Sequence, residues 1–304
     1  MKIFLILFGL IISVTSLAQQ DALFSQYMFN PFAINPAYAG SRSSISAVVL
    51  HRSQWIGVDG APLTQTFSIH TPSGEKGMAY GINLVHDQIG PVRNFWGAFT
   101  GAYHVKMKSA KLSFALRAGM FNASLQRNLL TFEDPTDQFN QTGKTSSLIP
   151  SFDFGAYYYR DRFYAGLAIN HITKHNFNFS NYPIDSDLFL HRHFMAMVGG
   201  VIKVKPNLLL KPSLLFRYAE GSIPSLDINL SALIKQFWWI GASFRNMNSL
   251  VFLTEFNITD YLRAGYSFDL TLNKLRKYNS GSHEIFIGFD FSTGKSKNIS
   301  PRYL

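Results

Sequence analysis

The chain contains no cysteine, so it forms no disulfide and offers no thiolate to a metal. Charge is scarce: Asp, Glu, Lys and Arg make up 15% of its 304 residues, against about 25% in a typical soluble domain. Beyond the N-terminus there is no apolar run of about 18 residues, which excludes a bundle of membrane-spanning helices. There is no G-x-x-x-x-G-K phosphate loop and no G-x-S-x-G nucleophile motif. The formal net charge is +10 and the pI is near 9.6. Yet the basic residues stand singly between aromatics, without the arm or stripe that nucleic-acid binding needs.

What is abundant is aromatic and apolar: 28 Phe, 14 Tyr and a hydrophobic share of 47%, with 22 Gly. Apolar bulk without long apolar runs is the composition of a transmembrane β-barrel, in which lipid-facing residues are spread over alternate positions. The period of two is plain late in the chain. In 226–234, Leu226, Ile228, Leu230, Ala232 and Ile234 oppose Asp227, Asn229 and Ser231. In 262–268, Leu262, Ala264, Tyr266 and Phe268 oppose Arg263, Gly265 and Ser267. Ile285, Ile287, Phe289 and Phe291 oppose Glu284, Gly288 and Asp290. Leu112, Phe114, Leu116, Ala118 and Met120 oppose Ser113, Ala115, Arg117 and Gly119. Each set shares one face of a strand, the apolar face toward lipid and the polar face toward the lumen.

About fourteen such segments can be counted, near 45–55, 64–71, 78–87, 94–106, 111–122, 149–159, 163–172, 193–205, 208–218, 225–234, 237–245, 249–258, 261–270 and 282–291. Most are long enough for a tilted bilayer crossing, and the even count suits a single-chain bacterial barrel. Even-numbered segments end in tight turns such as Lys108-Ser109, Arg160-Asp161-Arg162, Lys205-Pro206-Asn207, Lys235-Gln236 and Thr259-Asp260. Odd-numbered ones lead mostly into longer loops, including 123–148, 173–192 and 271–281. This asymmetry places the short turns in the periplasm. The connections after Asp87 and Arg245 are short for an outer face. Pro212 is awkward inside a strand, since it removes a ladder hydrogen bond. Trp55, Phe95, Trp96, Tyr157 to Tyr159, Trp238, Trp239 and Tyr261 fall near strand ends, as interfacial girdle residues would.

Residues 1–18 read as a secretory signal peptide: Lys2, an apolar core from Ile3 to Ile12, and the small residues Ser16 and Ala18 before the cleavage point. The mature chain would begin at Gln19, which cannot be lipidated as a cysteine can. Residues 19–44 form an N-terminal periplasmic or lumen-plugging segment, and 45–304 the barrel. The X-Pro steps Asn30-Pro31 and Asn35-Pro36 set extended or turn geometry in that segment. Its aromatics need burial, which a lumen offers.

Nine histidines invite a metal or catalytic reading. The closest pairs, His191 with His193 and His171 with His175, flank the loop 173–192, but no third ligand stands at convincing spacing. In Ser282-His283-Glu284 the histidine points away from its neighbours on a strand, so a catalytic triad is not expected. The expected lumen charges are Arg117, Asp153, Arg217, Asp227, Arg263, Glu284 and Asp290. Their mixed signs favour pairing and a partly filled lumen, because an unpaired buried charge is costly. No enzyme activity, cofactor or metal is expected, and no nucleic-acid partner.

The mature N-terminus contains Phe24, Gln26, Tyr27, Asn30 and Pro31, then Asn35, Pro36, Tyr38 and Gly40. Arg52, Gln54 and Trp55 follow, with Gly60-Ala61-Pro62 and Thr64. Gly281, His283 and Glu284 stand near the end, and Ser300-Pro301-Arg302-Tyr303 close it. Together these resemble the PorP/SprF family of the Bacteroidetes type IX secretion system. One departure is Leu304, where an aromatic residue is expected. The resemblance implies a fourteen-stranded outer-membrane barrel that supports secretion, surface anchoring or gliding-adhesin display. The implied partners are outer-membrane lipid, a secreted protein with a C-terminal sorting domain, and other secretion components. The rival reading is a channel or transporter for small or hydrophobic solutes.

Overall fold

The computed structural model of the protein describes residues 21–42, 44–73, 77–134, 136, 140, 143–177, 190–246 and 248–292. The expected signal peptide, the Ser300–Tyr303 ending with Leu304, and most of the 173–192 loop lie outside the described residues. Among those described, the chain forms fifteen strands: β1 (Ser44–Ser53), β2 (Leu63–Ser73), β3 (Met78–Ile89), β4 (Val92–Lys106), β5 (Lys111–Gln126), β6 (Lys144–Arg160), β7 (Phe163–Asn170), β8 (His193–Gly200), β9 (Ile202–Lys205), β10 (Leu208–Ala219), β11 (Ser225–Ile234), β12 (Trp238–Arg245), β13 (Ser249–Asn257), β14 (Leu262–Thr271) and β15 (Ser282–Ser292). Also among them, no helix is long and apolar enough to cross a membrane.

Every neighbouring pair is antiparallel, and β1 pairs with β15 as well as β2, so the sheet closes on itself. Both β8 and β9 pair with β10 and share one place in the ring. The result is a fourteen-stave barrel, as the alternation predicts. The break between β8 and β9 has a local cause. Ser213 stands opposite Gly199 and Leu210 opposite Ile202, so Lys211 and Pro212 face the interruption. Proline has no N–H to give the ladder. Pro72 and Pro150 also sit where pairing on one side has ended, beyond the last β1–β2 and β6–β7 pairs.

Burial along the staves is inverted relative to a soluble sheet. In β5, Phe114, Leu116 and Met120 face outward, Leu116 with 66% of its surface exposed, while Ser113 and Arg117 are buried. In β11, Leu226, Ile228 and Leu230 face outward and Asp227, Asn229 and Ser231 inward. Soluble monomers avoid so continuous an apolar exterior; here lipid is the solvent on that side.

One end of the barrel, the turn end, has the connections 107–110, 161–162, 206–207, 235–237 and 258–261. The other, the loop end, has 54–62, 127–143, 171–192, 220–224 and 272–281, with the short links 90–91 and 246–248. Strand bounds move by a few residues from those read in sequence. The largest change is at β5 and β6, which extend to Gln126 and from Lys144 and shorten the expected 123–148 loop. The strand expected to reach Trp55 ends at Ser53, because Trp55 takes a positive φ of 50° in the loop that follows.

The aromatic girdle needs a sharper correction. Phe95, Trp238 and Tyr261 face outward, but Trp96, Tyr157, Tyr159 and Trp239 are buried inside. Consecutive residues of a strand must point to opposite faces, so an aromatic run cannot all belong to one girdle.

Candidate functional site in the barrel lumen

Inside the barrel lies the chain's own segment 21–42. It is not extended: two 3-10 turns, Pro31–Ala33 and Pro36–Tyr38, compact it. Each begins with proline after asparagine, where the missing N–H costs nothing and φ is preset. Asn35 caps the second turn by accepting from the Ala37 N–H at 2.9 Å. Its Nδ2 donates to the carbonyls of Ala156 in β6 and Leu167 in β7. Gly155 and Gly166 make room for this amide, since a Cβ on Gly155 would collide with Asn35 Oδ1. Gly40 turns the segment into β1 at φ +68°, and a Cβ there would overlap that of Ala79.

The segment's aromatics find an apolar lining. Tyr27, Met28, Phe29, Phe32, Ile34 and Tyr38 are buried with Leu50, Leu215, Leu233, Trp239 and Phe286. Phe29 packs on Trp239 and Phe286 at centroid distances of 6.0 Å. Tyr38 meets Tyr157 edge-on at 5.4 Å. The lumen is therefore not uniformly polar. Its inward Leu, Trp and Phe residues are matched to a peptide with aromatic side chains.

Charged residues grip the backbone of the same segment. Glu284 accepts from the backbone N–H groups of Ser25 at 2.9 Å and Gln26 at 2.8 Å. Gln26 Nε2 returns a bond to the Glu284 carbonyl. Ser25 Oγ donates to Asp269 at 2.7 Å and accepts from Arg52 and Arg245. Arg245 also donates to the carbonyl of Phe24, Lys211 to Met28, Arg263 to Phe29 and Arg117 to Phe32.

These side chains form alternating ion-pair runs. Arg217, Asp227, Arg245, Asp269, Arg52 and Glu284 are linked in that order, from β10 across the closure of the ring to β1 and β15. Glu255, Arg263, Asp290 and Arg42 form a second run. Arg117 and Asp153 face each other across β5 and β6, with Arg117 stacked over Trp96 at 4.5 Å. Of the seven charges expected in the lumen, six thus pair among themselves as Arg117–Asp153, Arg217–Asp227 and Arg263–Asp290; the seventh, Glu284, pairs with Arg52. Sequence reasoning missed Arg245, Asp269, Glu255 and Arg42. The signal for Asp269 was present, since the alternation of β14 continues to Thr271.

The remaining motif residues sit at the loop end. Gln54 donates its N–H to the Pro62 carbonyl. The Trp55 N–H donates to Ser282 Oγ, and Ile56 and Ser280 exchange backbone bonds with Gly281 and Ile56, joining the loops 54–62 and 272–281. Gly281 has φ +96°, and a Cβ there would run into the Phe268 ring. His283 points outward and bonds the Tyr266 hydroxyl at 2.7 Å, away from Glu284.

At the loop end of the segment, Asp21 meets His171 Nε2 at 2.9 Å and His193 Nδ1 at 3.3 Å. The two histidine rings lie 5.7 Å apart. Burial pushes the Asp21 carboxyl up, but His171, His193 and Arg117 together hold it well below the usual carboxylate range. For His171, just beyond β7, burial acts downward, yet Asp21 and Asp153 outweigh it and raise the imidazole. Beside this latch a cavity opens between the start of the segment and the wall, lined in part by Ile34, Trp96, Phe121, Met195 and Ile223.

A family profile described as "Type IX secretion system membrane protein PorP/SprF" matches residues 16–289. No curated protein matches the chain. Among solved structures, the Ralstonia pickettii toluene transporter TbuX aligns at a TM-score of 0.52 and 10% identity, over 92% of this chain and 99% of that one. The CymD monoaromatic hydrocarbon channel aligns at 0.51 and 11%, over 92% and 95%. At such identity the likeness is one of fold: an outer-membrane barrel.

Proposed function

The chain belongs to the PorP/SprF family of type IX secretion membrane proteins, and from that premise we propose that it is a closed platform that holds a secreted cargo protein at the cell surface. It is an outer-membrane component of that secretion system, and its family and fold are those of a secretion barrel rather than an enzyme. In our reading the loop end faces outward, by the asymmetry of bacterial barrels. There it binds the C-terminal sorting domain of a large cargo such as a gliding adhesin, while other secretion components meet it in the membrane or periplasm. An N-terminal signal peptide delivers it.

The observation that carries this reading is the occupied lumen. Residues 25–42 are bonded to charged side chains on both sides of the seam between β1 and β15, and those charges are paired. A folded cargo cannot share that space, which leaves the loops and rim for binding. A solute channel would need a path past the same segment.

Affinity purification of the intact barrel from its native outer membrane tests the proposal. A secreted protein with a C-terminal sorting domain should co-purify and be lost when the cargo's C-terminal domain is removed. Repeated purification without such a partner, with uptake of small solutes by vesicles containing the barrel, would favour the channel instead.

A further inference from the structure

A closed barrel offers a partner no strand edge, yet this one keeps a short edge at the turn end. Strands β8 and β9 run in one register against β10: Gly199 faces Ser213, Ile202 faces Leu210 and Lys203 faces Leu209. On the other side β7 begins only at Phe163, and the pair Phe163–Gly200 is its last with β8. One further bond joins the Val201 N–H to the Arg162 carbonyl at 2.9 Å, where the 161–162 turn leads back into β6. Beyond it β9 has β10 on one side and, among the described residues, no strand on the other. Alternate residues of a strand direct their N–H and C=O to the same side. Lys203 stands two residues past Val201, so its N–H and C=O face the open side.

All of β9, from Ile202 to Lys205, is exposed. The outward-facing aromatics Tyr158 and Phe163, 6.2 Å apart, stand at the last β7–β8 pair. The edge therefore lies past them, on the water side of the interfacial aromatics. Unmet backbone groups are not tolerated in hydrocarbon; in water they are a template to which an extended segment adds as a strand. Charge selects that segment. A second copy of this chain would set Lys203 and Lys205 against themselves, and like charges on paired strands repel. The rest of the turn end has the same sign: among the described residues it exposes Lys106, Lys108, Arg162 and Lys235, against Asp161 and Asp260. The complement is a strand that carries Asp or Glu.

We propose that the open edge of β9 pairs with an extended, acidic segment of a periplasmic protein, which adds a strand to the barrel beside the 161–162 turn. This rests on the reading that the loop end faces outward, and it names where another secretion component meets the barrel.

The test places p-benzoyl-phenylalanine at Val204 in the full-length barrel in its native outer membrane. The control position is Gln236, exposed in a turn whose strands are paired on both sides. After irradiation, adducts are sequenced by mass spectrometry. Position 204 should yield an Asp- or Glu-rich segment of a periplasmic protein, and position 236 none. Lys203→Glu with Lys205→Glu leaves the backbone intact and should lower the yield about tenfold, as two repelling pairs would. Lys203→Pro also removes the edge N–H, which β10 does not use; it should lower the yield about fivefold below Lys203→Gln, the scale of one lost hydrogen bond. The variants should keep the heat-modifiable mobility of a folded barrel. The proposal is overturned by no adduct, by an adduct to lipid or to this chain, or by a segment without acidic residues. It is overturned equally by a yield that the double Glu variant leaves unchanged, or by a folded Lys203→Pro barrel that yields as much as Lys203→Gln. If cargo still co-purifies in any of those cases, the edge assignment alone fails and the platform reading stands. An adduct to a surface-exposed cargo would overturn both the edge assignment and the outward orientation of the loop end.

Discussion

At the scale of single residues, the lumen is a set of mutual dependencies between buried charges. Arg117 and Asp153 are both almost fully buried and bonded to each other. Arg117→Met leaves the Asp153 carboxylate without its cation and should destabilise the barrel by about 3–5 kcal/mol. Arg117→Met with Asp153→Leu removes both charges and should recover much of that loss. Urea unfolding of the variants in detergent micelles measures both; a double variant as unstable as the single one would show that the pairing is not what matters. Gly155 offers a steric test. A Cβ there meets Asn35 Oδ1, the Ala37 N–H and Pro36, so Gly155→Ala should cost about 1–3 kcal/mol by overpacking and expose residues 30–40 to protease. Of these contacts, only the Arg117–Asp153 pair could be foreseen, because both residues stand as charges between apolar neighbours in clear alternation. That Asn35 would fill the space over Gly155 and Gly166 depends on contacts more than a hundred positions apart, which no local pattern encodes.

At the scale of elements, the N-terminal segment has two attachments that differ in chemistry. The Ser25–Gln26 end hangs on Glu284. Glu284→Gln keeps the shape but loses the charge that Arg52 and two backbone N–H groups share, so a cysteine placed at residue 26 should react several-fold faster with a hydrophilic maleimide. An unchanged rate would mean that apolar packing alone holds the segment.

The Asp21 end should respond to pH. The groups facing Asp21 are His171 after β7, His193 in β8, Arg117 in β5 and Asp87 in β3, and Asp153 in β6 faces His171 from the other side. A depressed Asp21 contributes stability above its unfolded value of 3.8 and loses it as pH falls. A raised His171 contributes below its unfolded value of 6.5 and loses it as pH rises through the folded one. The latch is therefore strongest between those limits. Labelling of a cysteine at residue 22 should be slowest at mildly acidic pH and faster on either side; a flat profile would remove the latch.

The staves themselves were the most legible elements, since a half-lipid, half-lumen strand must alternate. The aromatic runs were not. Which of Phe95 and Trp96, or Trp238 and Trp239, faces the lumen follows from register, and the composition near a strand end is the same for both faces. The break at Val201 was half visible in Pro212, but its position opposite β8 needed the pairing.

At the scale of the whole molecule, an outward apolar surface holds the barrel in lipid, while an inward surface of paired charges and aromatics holds the barrel's own N-terminus. Alternation and loop asymmetry made the outside of this object legible, and the motifs at 24–40, 52–55 and 281–284 its likeness to a secretion family. They could not say that the lumen wall is made largely to grip a peptide backbone, because that role falls to Arg245, Lys211, Arg263 and Glu284, on strands distant in sequence from residues 24–32. The central claim is that the barrel is closed by its own segment and works as a platform. Single-channel conductance in planar bilayers tests it most directly, comparing the intact barrel with a variant lacking residues 21–40. The account predicts a nearly silent intact barrel and steady conducting steps from the variant. An intact barrel that conducts as well as the deletion would contradict it.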